Sequence, residues 1–340
     1  MSIPTPLMVF EVMVELANKG HGADLLGGIT SLACQTFDKS LIGGEYPSFW
    51  LEAPLAGEPG FDLHVYYDRG QVKPGERFAE GCGFGMQALF DWYFGKETGG
   101  IGVGFAHDLR SGQVATGAYV NFNRHPLTNE PGFFEALGAQ DSLLSSQALM
   151  GRLPQGWSPW YLGLFPARAG SGVRVGSFVS KERRDAYASD PTVLARDLER
   201  AGFEAFDAAM LERLQAMAAL PFVLELQLDA TPDGTGDTLG ADLTMSLRSA
   251  ERVRQAFAAD GAAARAGKML EDWGVADRRW RAIADASFSR MLPISQADNL
   301  TGLLMNCVPA FIKEKWVATR PQTAKVYLHC EARMVDRPRG

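Results

Sequence analysis

A few stretches of the chain carry side chains whose types and spacing could do chemistry. Lys325-x-Tyr327 continues as His329 and Glu331. On a strand these residues share one face, neighbours about 7 Å apart. Val326, Leu328, Cys330 and Ala332 form the opposite, apolar face. An ammonium and a phenol presented together suit an anionic ligand. A terminal strand wetted on its polar side gives a similar pattern, but the Lys-x-Tyr-x-His-x-Glu run favours a site. Arg174, in Val173-Arg174-Val175-Gly176, points away from the apolar layer if it lies on a strand. A bidentate phosphate contact would satisfy it, and so would a buried ion pair with Glu225 or Asp229. Glu52, in Trp50-Leu51-Glu52-Ala53-Pro54, faces with Trp50 away from the side that Leu51 takes. A carboxylate shielded from water has a raised pKa unless it is paired, which suits a general base; a rim salt bridge is the alternative. Lys313 and Lys315 extend the basic set or end an exposed strand, the latter favoured for Lys315.

These residues need elements to position them. Residues 8–40 have mixed helical spacing interrupted by glycines. Paired runs of β-favouring residues bounded by Gly, Pro and Asp turns follow. They are 48–54 with 61–68, 101–109 with 114–123, 160–166 with 173–180, 222–230 with 239–247, and 303–317 with 325–334. Helical stretches are expected between them, over 76–94, 130–150, 190–220 and 249–290. Asp190-Pro191 and Ser249 supply N-terminal caps.

Composition bounds the answer. With 46% hydrophobic and 21% charged residues in 340, the chain can bury a large core and is not disordered. Thirty-three Lys and Arg against forty Asp and Glu leave a formal charge of -7, which argues against a nucleic-acid partner while leaving room for a local basic pocket. The apolar run 300–312 is broken by Asn306 and Pro309, so no membrane span is expected. Residues 1–6 lack a basic region ahead of an apolar one, unlike a secretory signal. Cys34, Cys82, Cys307 and Cys330 have no C-x-x-C spacing, and the five histidines no His-x-x-x-His. A cytoplasmic protein with reduced thiols and no zinc site is expected.

Hairpins cannot stand alone, so ten antiparallel strands must join one sheet, and closure into a barrel removes both edges. Leu224, Leu226 and Leu228 oppose Glu225, Gln227 and Asp229; Leu63, Val65 and Tyr67 oppose Asp62, His64 and Tyr66. The helices must cover the apolar strand faces from outside. The polar faces then line the lumen, which becomes a wet or ligand-filled chamber. The expected architecture is α+β, a ten-stranded antiparallel barrel surrounded by helices, with 1–340 as one domain.

This order of elements, with a Glu on the first strand, Lys-x-Tyr on the last and an Arg-bearing third hairpin, resembles the ABBA-fold (PT-barrel) prenyltransferases. The length is nearer to the compact bacterial and peptide-type enzymes than to the longer fungal ones, and the chain most resembles the cyanobactin-type peptide prenyltransferases. The resemblance implies transfer of a dimethylallyl, geranyl or farnesyl group from an isoprenyl diphosphate to an electron-rich side chain of a peptide, or to an aromatic small molecule. It implies that Lys325, Tyr327 and Arg174 contact the diphosphate and that Glu52 holds and deprotonates the acceptor. Magnesium would accompany the diphosphate without protein ligands, because no clustered Asp motif is present.

Prenyl transfer also needs walls that shield a cation from water. Trp50, Tyr66, Tyr119, Tyr161, Phe165 and Phe178 are candidates, with Tyr66 and Tyr119 favoured because each shares a face with a polar residue, His64 or Asn121. His64, Gln227, His329 and Lys313 complete the candidate substrate-binding set. Gly100, Gly102 and Gly104 share one face with Ala106, a stripe expected to make room in the lumen. A non-catalytic carrier of a hydrophobic ligand is the rival reading, but it gives no reason for Lys325, Tyr327 and Arg174. Gly81-Cys82-Gly83-Phe84-Gly85 lacks the P-loop Lys and the βαβ context of a nucleotide site.

Overall fold

Strand pairing settles the architecture. The computed structural model describes residues 3–42, 46–68, 76–78, 85–95, 100–122, 130–166, 172–296 and 299–336. Its strands are β1 (Ser48–Pro54), β2 (Asp62–Asp68), β3 (Gly100–His107), β4 (Gly117–Phe122), β5 (Trp157–Leu164), β6 (Val173–Val179), β7 (Val223–Thr231), β8 (Gly234–Thr244), β9 (Phe288–Gln296), β10 (Asn299–Val317), β11 (Arg320–Pro321) and β12 (Lys325–Asp336). Ten of them close an antiparallel barrel in the order β10-β12-β1-β2-β3-β4-β5-β6-β7-β8, with β8 returning to β10. Twelve α-helices among the described residues surround it.

Closure depends on β10. Its first half pairs with β9 and its second half with β8, while β12 follows it from Thr301 to Lys313. The change falls at a bulge between Pro309 and Phe311. Pro309 has no N–H to give a ladder, and an extra residue at a bulge bends the strand. The Ala310 carbonyl turns aside to accept from the Met245 N–H at 2.7 Å, just beyond β8.

The alternation places the faces as expected. Leu51, Leu63, Leu226, Val326, Leu328 and Cys330 are fully buried in the outer layer between sheet and helices. There Phe10 stacks on Phe37 at 4.2 Å, and Phe49 of β1 meets both edge-on. Asp190 caps the helix Pro191–Arg200 by accepting from the Thr192 N–H at 2.9 Å, and Ser249 caps Ala250–Ala256.

Several boundaries differ from the sequence reading. The stretch 249–290 is not one helix. It breaks at Gly261, Gly274 (φ +71°) and Asp277, and from Phe288 onward it is β9, which pairs with β10 outside the barrel. A further helix, Lys181–Ser189, starts at Ser180, whose hydroxyl accepts from the Arg183 N–H. The turn between β7 and β8 is tight: Thr231 pairs with Gly234 across Pro232-Asp233, so residues 234–238 join the strand. The helix expected over 76–94 spans Met86–Gly95, while Cys82 and its flanking residues 79–84 lie outside the described residues.

The glycine stripe does not leave open space. A Cβ on Gly104 would lie 2.1 Å from Cζ of Tyr119, and one on Gly102 would lie 1.9 Å from the Tyr66 hydroxyl oxygen. Gly176 is covered in the same way by Tyr161, 2.1 Å from its ring. Each glycine lets a neighbouring tyrosine ring lie flat against the sheet, so the lumen wall is aromatic there. Gly104→Ala should therefore cost about 1–3 kcal/mol through overpacking. Thermal melts check this: Gly104→Ala should cost much less in a Tyr119→Ala background than in the wild-type chain, and about as much in a Tyr119→Phe background as in the wild type.

Candidate active site

The register of β12, β1 and β2 sets Glu52 between Tyr327 and Asp62. Glu52 is 2% exposed and is not alone. One carboxylate oxygen lies 2.9 Å from Nε2 of His64, and the other is ion-paired with the Lys325 ammonium. The premise of an unpaired lumen carboxylate is thus replaced by a carboxylate held between an imidazole and an ammonium. Beside it, Arg110, on the turn that follows β3, grips Asp62 through Nε at 3.0 Å and Nη2 at 2.7 Å.

Across the barrel, Arg174 on β6 donates to both carboxylate oxygens of Asp229 on β7, at 2.8 and 3.0 Å. Its guanidinium lies 5.1 Å from the centre of the Phe165 ring. Burial by itself would lower the Arg174 pKa; Asp229 outweighs it and holds the group above its ordinary value. Lys313 on β10 donates to the Gln227 carbonyl and stands 3.6 Å from Asp242. Burial pulls its pKa down, against the pull of Asp242.

These groups meet at one end of the barrel. Arg110, Arg174, Lys313, Lys315 and Lys325, with Tyr327, line a cavity of about 440 Å³ that also receives Glu52 and Asp62. A smaller chamber of about 90 Å³ continues from it, sharing Glu52, Arg174, Lys313 and Tyr327. Its other walls include Trp50, His64, Tyr119, Asn121, Trp160, Tyr161, Phe165, Gln227 and Phe311. Phe311 stacks on Tyr327 at 4.2 Å, and Tyr119 lies 6.0 Å from His64 and 6.3 Å from Tyr161. Burial pushes the Tyr119 and Tyr161 phenols well above their ordinary pKa, so they remain neutral hydroxyls. The result is a cation-lined mouth opening into an aromatic chamber.

Of the residues singled out from sequence, Glu52, Trp50, His64, Tyr119, Tyr161, Phe165, Arg174, Gln227, Lys313, Lys325 and Tyr327 line this connected space. Tyr66 and His329 do not: each packs against Trp50 with ring centres 5.1 Å apart. Lys315 lines the mouth instead of ending an exposed strand. Arg110 and Phe311 were missed. Arg110 sits in a turn and finds Asp62 across 48 residues, and Phe311 owes its position to the β10 bulge. Neither has a local pattern that would reveal it. Cys307 and Cys330 are buried directly opposite each other, as small apolar residues of the outer layer.

Two of the three carboxylates that line the mouth are held by other side chains. Asp62 is engaged by Arg110, and Glu52 by His64 and Lys325. Among the described residues no group of three His, Cys, Asp or Glu is placed to hold a metal ion. No helix among them is long and apolar enough to cross a membrane.

No family model and no curated protein matches the sequence. Solved structures do match. The prenyltransferase PriB, in a ternary complex with L-tryptophan and dimethylallyl thiolodiphosphate, superposes with a TM-score of 0.50 at 14% identity, over 96% of each chain. AnaPT from Neosartorya fischeri gives a TM-score of 0.41 at 12% identity, over 84% of this chain and 78% of its own. The full-length match to PriB joins the closed ten-stranded topology, and the fold of this chain is the helix-ringed barrel of that prenyltransferase.

Proposed function

We propose that the chain is a prenyltransferase that moves an isoprenyl group from its diphosphate to an electron-rich acceptor. The observation that carries this is the cation-lined mouth opening into an aromatic chamber, with Glu52, Arg174, Lys313 and Tyr327 common to both. The diphosphate sits at the mouth, where cationic side chains and the Tyr327 hydroxyl take up the charge that develops as the allylic C–O bond breaks. The electron pair of that bond leaves with the diphosphate. The allylic cation lies against the rings of the chamber, away from water. An acceptor atom supplies the pair for the new bond, and Glu52 takes the proton released. Lys325 links the two halves: a bound diphosphate competes for its ammonium and frees Glu52 for the acceptor. Magnesium, where it takes part, travels on the diphosphate oxygens.

The acceptor proposed is a side chain of a peptide. A cleft of about 500 Å³ shares Arg110, Thr323 and Lys325 with the mouth and gives acceptor atoms room outside the barrel. The second reading is a free aromatic small molecule, favoured by the similarity to PriB, which was solved with L-tryptophan. Incubation with dimethylallyl, geranyl and farnesyl diphosphates and a panel of Trp, Tyr, His and Arg peptides and amino acids, read by mass, separates the two. Prenylated peptide alone supports the first reading and prenylated amino acid the second. Donor binding without any product identifies a carrier and overturns the proposal.

Lys325→Ala tests the mouth. Its side chain is 32% exposed, and His64 still holds Glu52 after its loss, so the melting temperature should change little. Donor affinity should fall about tenfold, the value of one charge-assisted contact. Unchanged donor affinity in the folded variant would remove Lys325 from the donor site.

A further inference from the structure

We propose that His64 is a catalytic residue that takes the proton leaving the acceptor in the chamber and relays it to Glu52 at the mouth. This rests on the transferase reading above and adds a residue to it. Strand register sets the order of the groups. Glu52 lies opposite Asp62, and Trp50 lies opposite His64. His64 is therefore two residues further along β2, about 7 Å deeper into the barrel. Glu52 lines both the mouth and the chamber, whereas His64 lines only the chamber of the two. An acceptor held among the chamber rings is thus nearer the layer of the imidazole than the layer of the carboxylate.

Hydrogen bonding fixes the state of the ring. One carboxylate oxygen of Glu52 is paired with the Lys325 ammonium, and the other lies 2.9 Å from His64 Nε2. An ionised carboxylate only accepts, so the imidazole proton sits on Nε2 and Nδ1 keeps its lone pair. Among the described residues no donor meets Nδ1. His64 is 8% exposed, with the Tyr119 ring 6.0 Å away and the Tyr327 ring edge-on at 5.7 Å. The other chamber groups are poorer proton acceptors. Burial holds the Tyr119 and Tyr161 phenols neutral. Asp242 stands 3.6 Å from the Lys313 ammonium, a charge that opposes neutralisation of the carboxylate. The partner of His64 is instead an anion, which stabilises the imidazolium formed. As the new bond to the acceptor forms, the acceptor proton passes to Nδ1, and the electron pair of its broken bond stays on the acceptor. The Nε2 proton then passes to Glu52, whose other contact, Lys325, has turned to the diphosphate. Glu52 gives it to the departing diphosphate at the mouth. His64 recovers its first tautomer by exchange with water when product leaves.

His64→Gln separates a relay from a mere support for Glu52. The amide can still donate to Glu52 but has no lone-pair nitrogen to take a proton. With a donor and acceptor that the wild-type chain joins, initial rates at saturation should fall about 10²–10⁴-fold in His64→Gln, while calorimetric donor affinity is unchanged. In His64→Ala, added imidazoles should restore turnover, and the restored rate should rise with the basicity of the imidazole added. Turnover close to wild type in His64→Gln overturns the relay. So does a folded His64→Ala whose rate is not restored, or is restored equally by weak and strong bases. If His64→Ala does not fold, His64→Gln carries the test. A wild-type chain that joins no donor to any acceptor overturns the transferase reading and the relay with it, whereas wild-type product beside a fast His64→Gln overturns the relay alone.

Discussion

Glu52→Gln should lower turnover by about 10²–10⁴-fold, the contribution of a positioned general base, while donor affinity stays the same or rises. The substitution keeps the shape and one acceptor oxygen for His64 or Lys325, so the local structure has reason to persist. It removes the negative charge that can take the proton of the acceptor. It also removes the ion-pair partner of Lys325, which is then fully available to the diphosphate. Initial rates at saturating donor, set beside calorimetric donor binding, give both halves of the result. Wild-type turnover on the true acceptor would sink the role and leave Glu52 as a structural partner of His64 and Lys325.

Arg174→Ala should damage stability and donor binding together, and a second variant is needed to separate them. Asp229 is 5% exposed and holds Arg174 through both oxygens, so loss of the guanidinium strands a buried carboxylate. Breaking one side of such a pair costs about 3–5 kcal/mol. Removing both charges is far milder, so Arg174→Met with Asp229→Leu should recover most of the denaturant midpoint. Donor binding should not recover, because the guanidinium at the junction of mouth and chamber is still missing; about 1.5–3 kcal/mol of affinity stays lost. Donor affinity that returns with the fold would make Arg174 a structural residue, satisfied by Asp229.

Period-two alternation carried the architecture. Val326, Leu328 and Cys330 against Lys325, Tyr327 and His329 assign two faces without any structure, and paired runs with glycine and proline turns dictate antiparallel neighbours. A ring of helices on the apolar side and a polar lumen then follow, because each face must meet its own kind of surroundings. Boundaries failed where local signals compete: Gly261, Gly274 and Asp277 break a stretch of good helix formers, and β9 carries no strict alternation.

The sequence by itself determined most of the side chains that enter the barrel, since facing is a property of one strand; Arg110 and Phe311, placed by a turn and by the β10 bulge, are the exceptions. It did not determine their partners. Lys325 reaches Glu52 across 273 residues, Arg174 reaches Asp229 across 55, and Lys313 reaches Gln227 across 86. Each pairing depends on strand order and register, and register is set by the whole closed sheet. Which of Glu225 and Asp229 faces Arg174 is therefore decided only where β6 lies against β7. The same dependence explains the glycines. Whether a missing Cβ leaves a cavity or a seat for a ring depends on the residue across the ladder, and Tyr119 and Tyr161 take those seats only once the register puts them there.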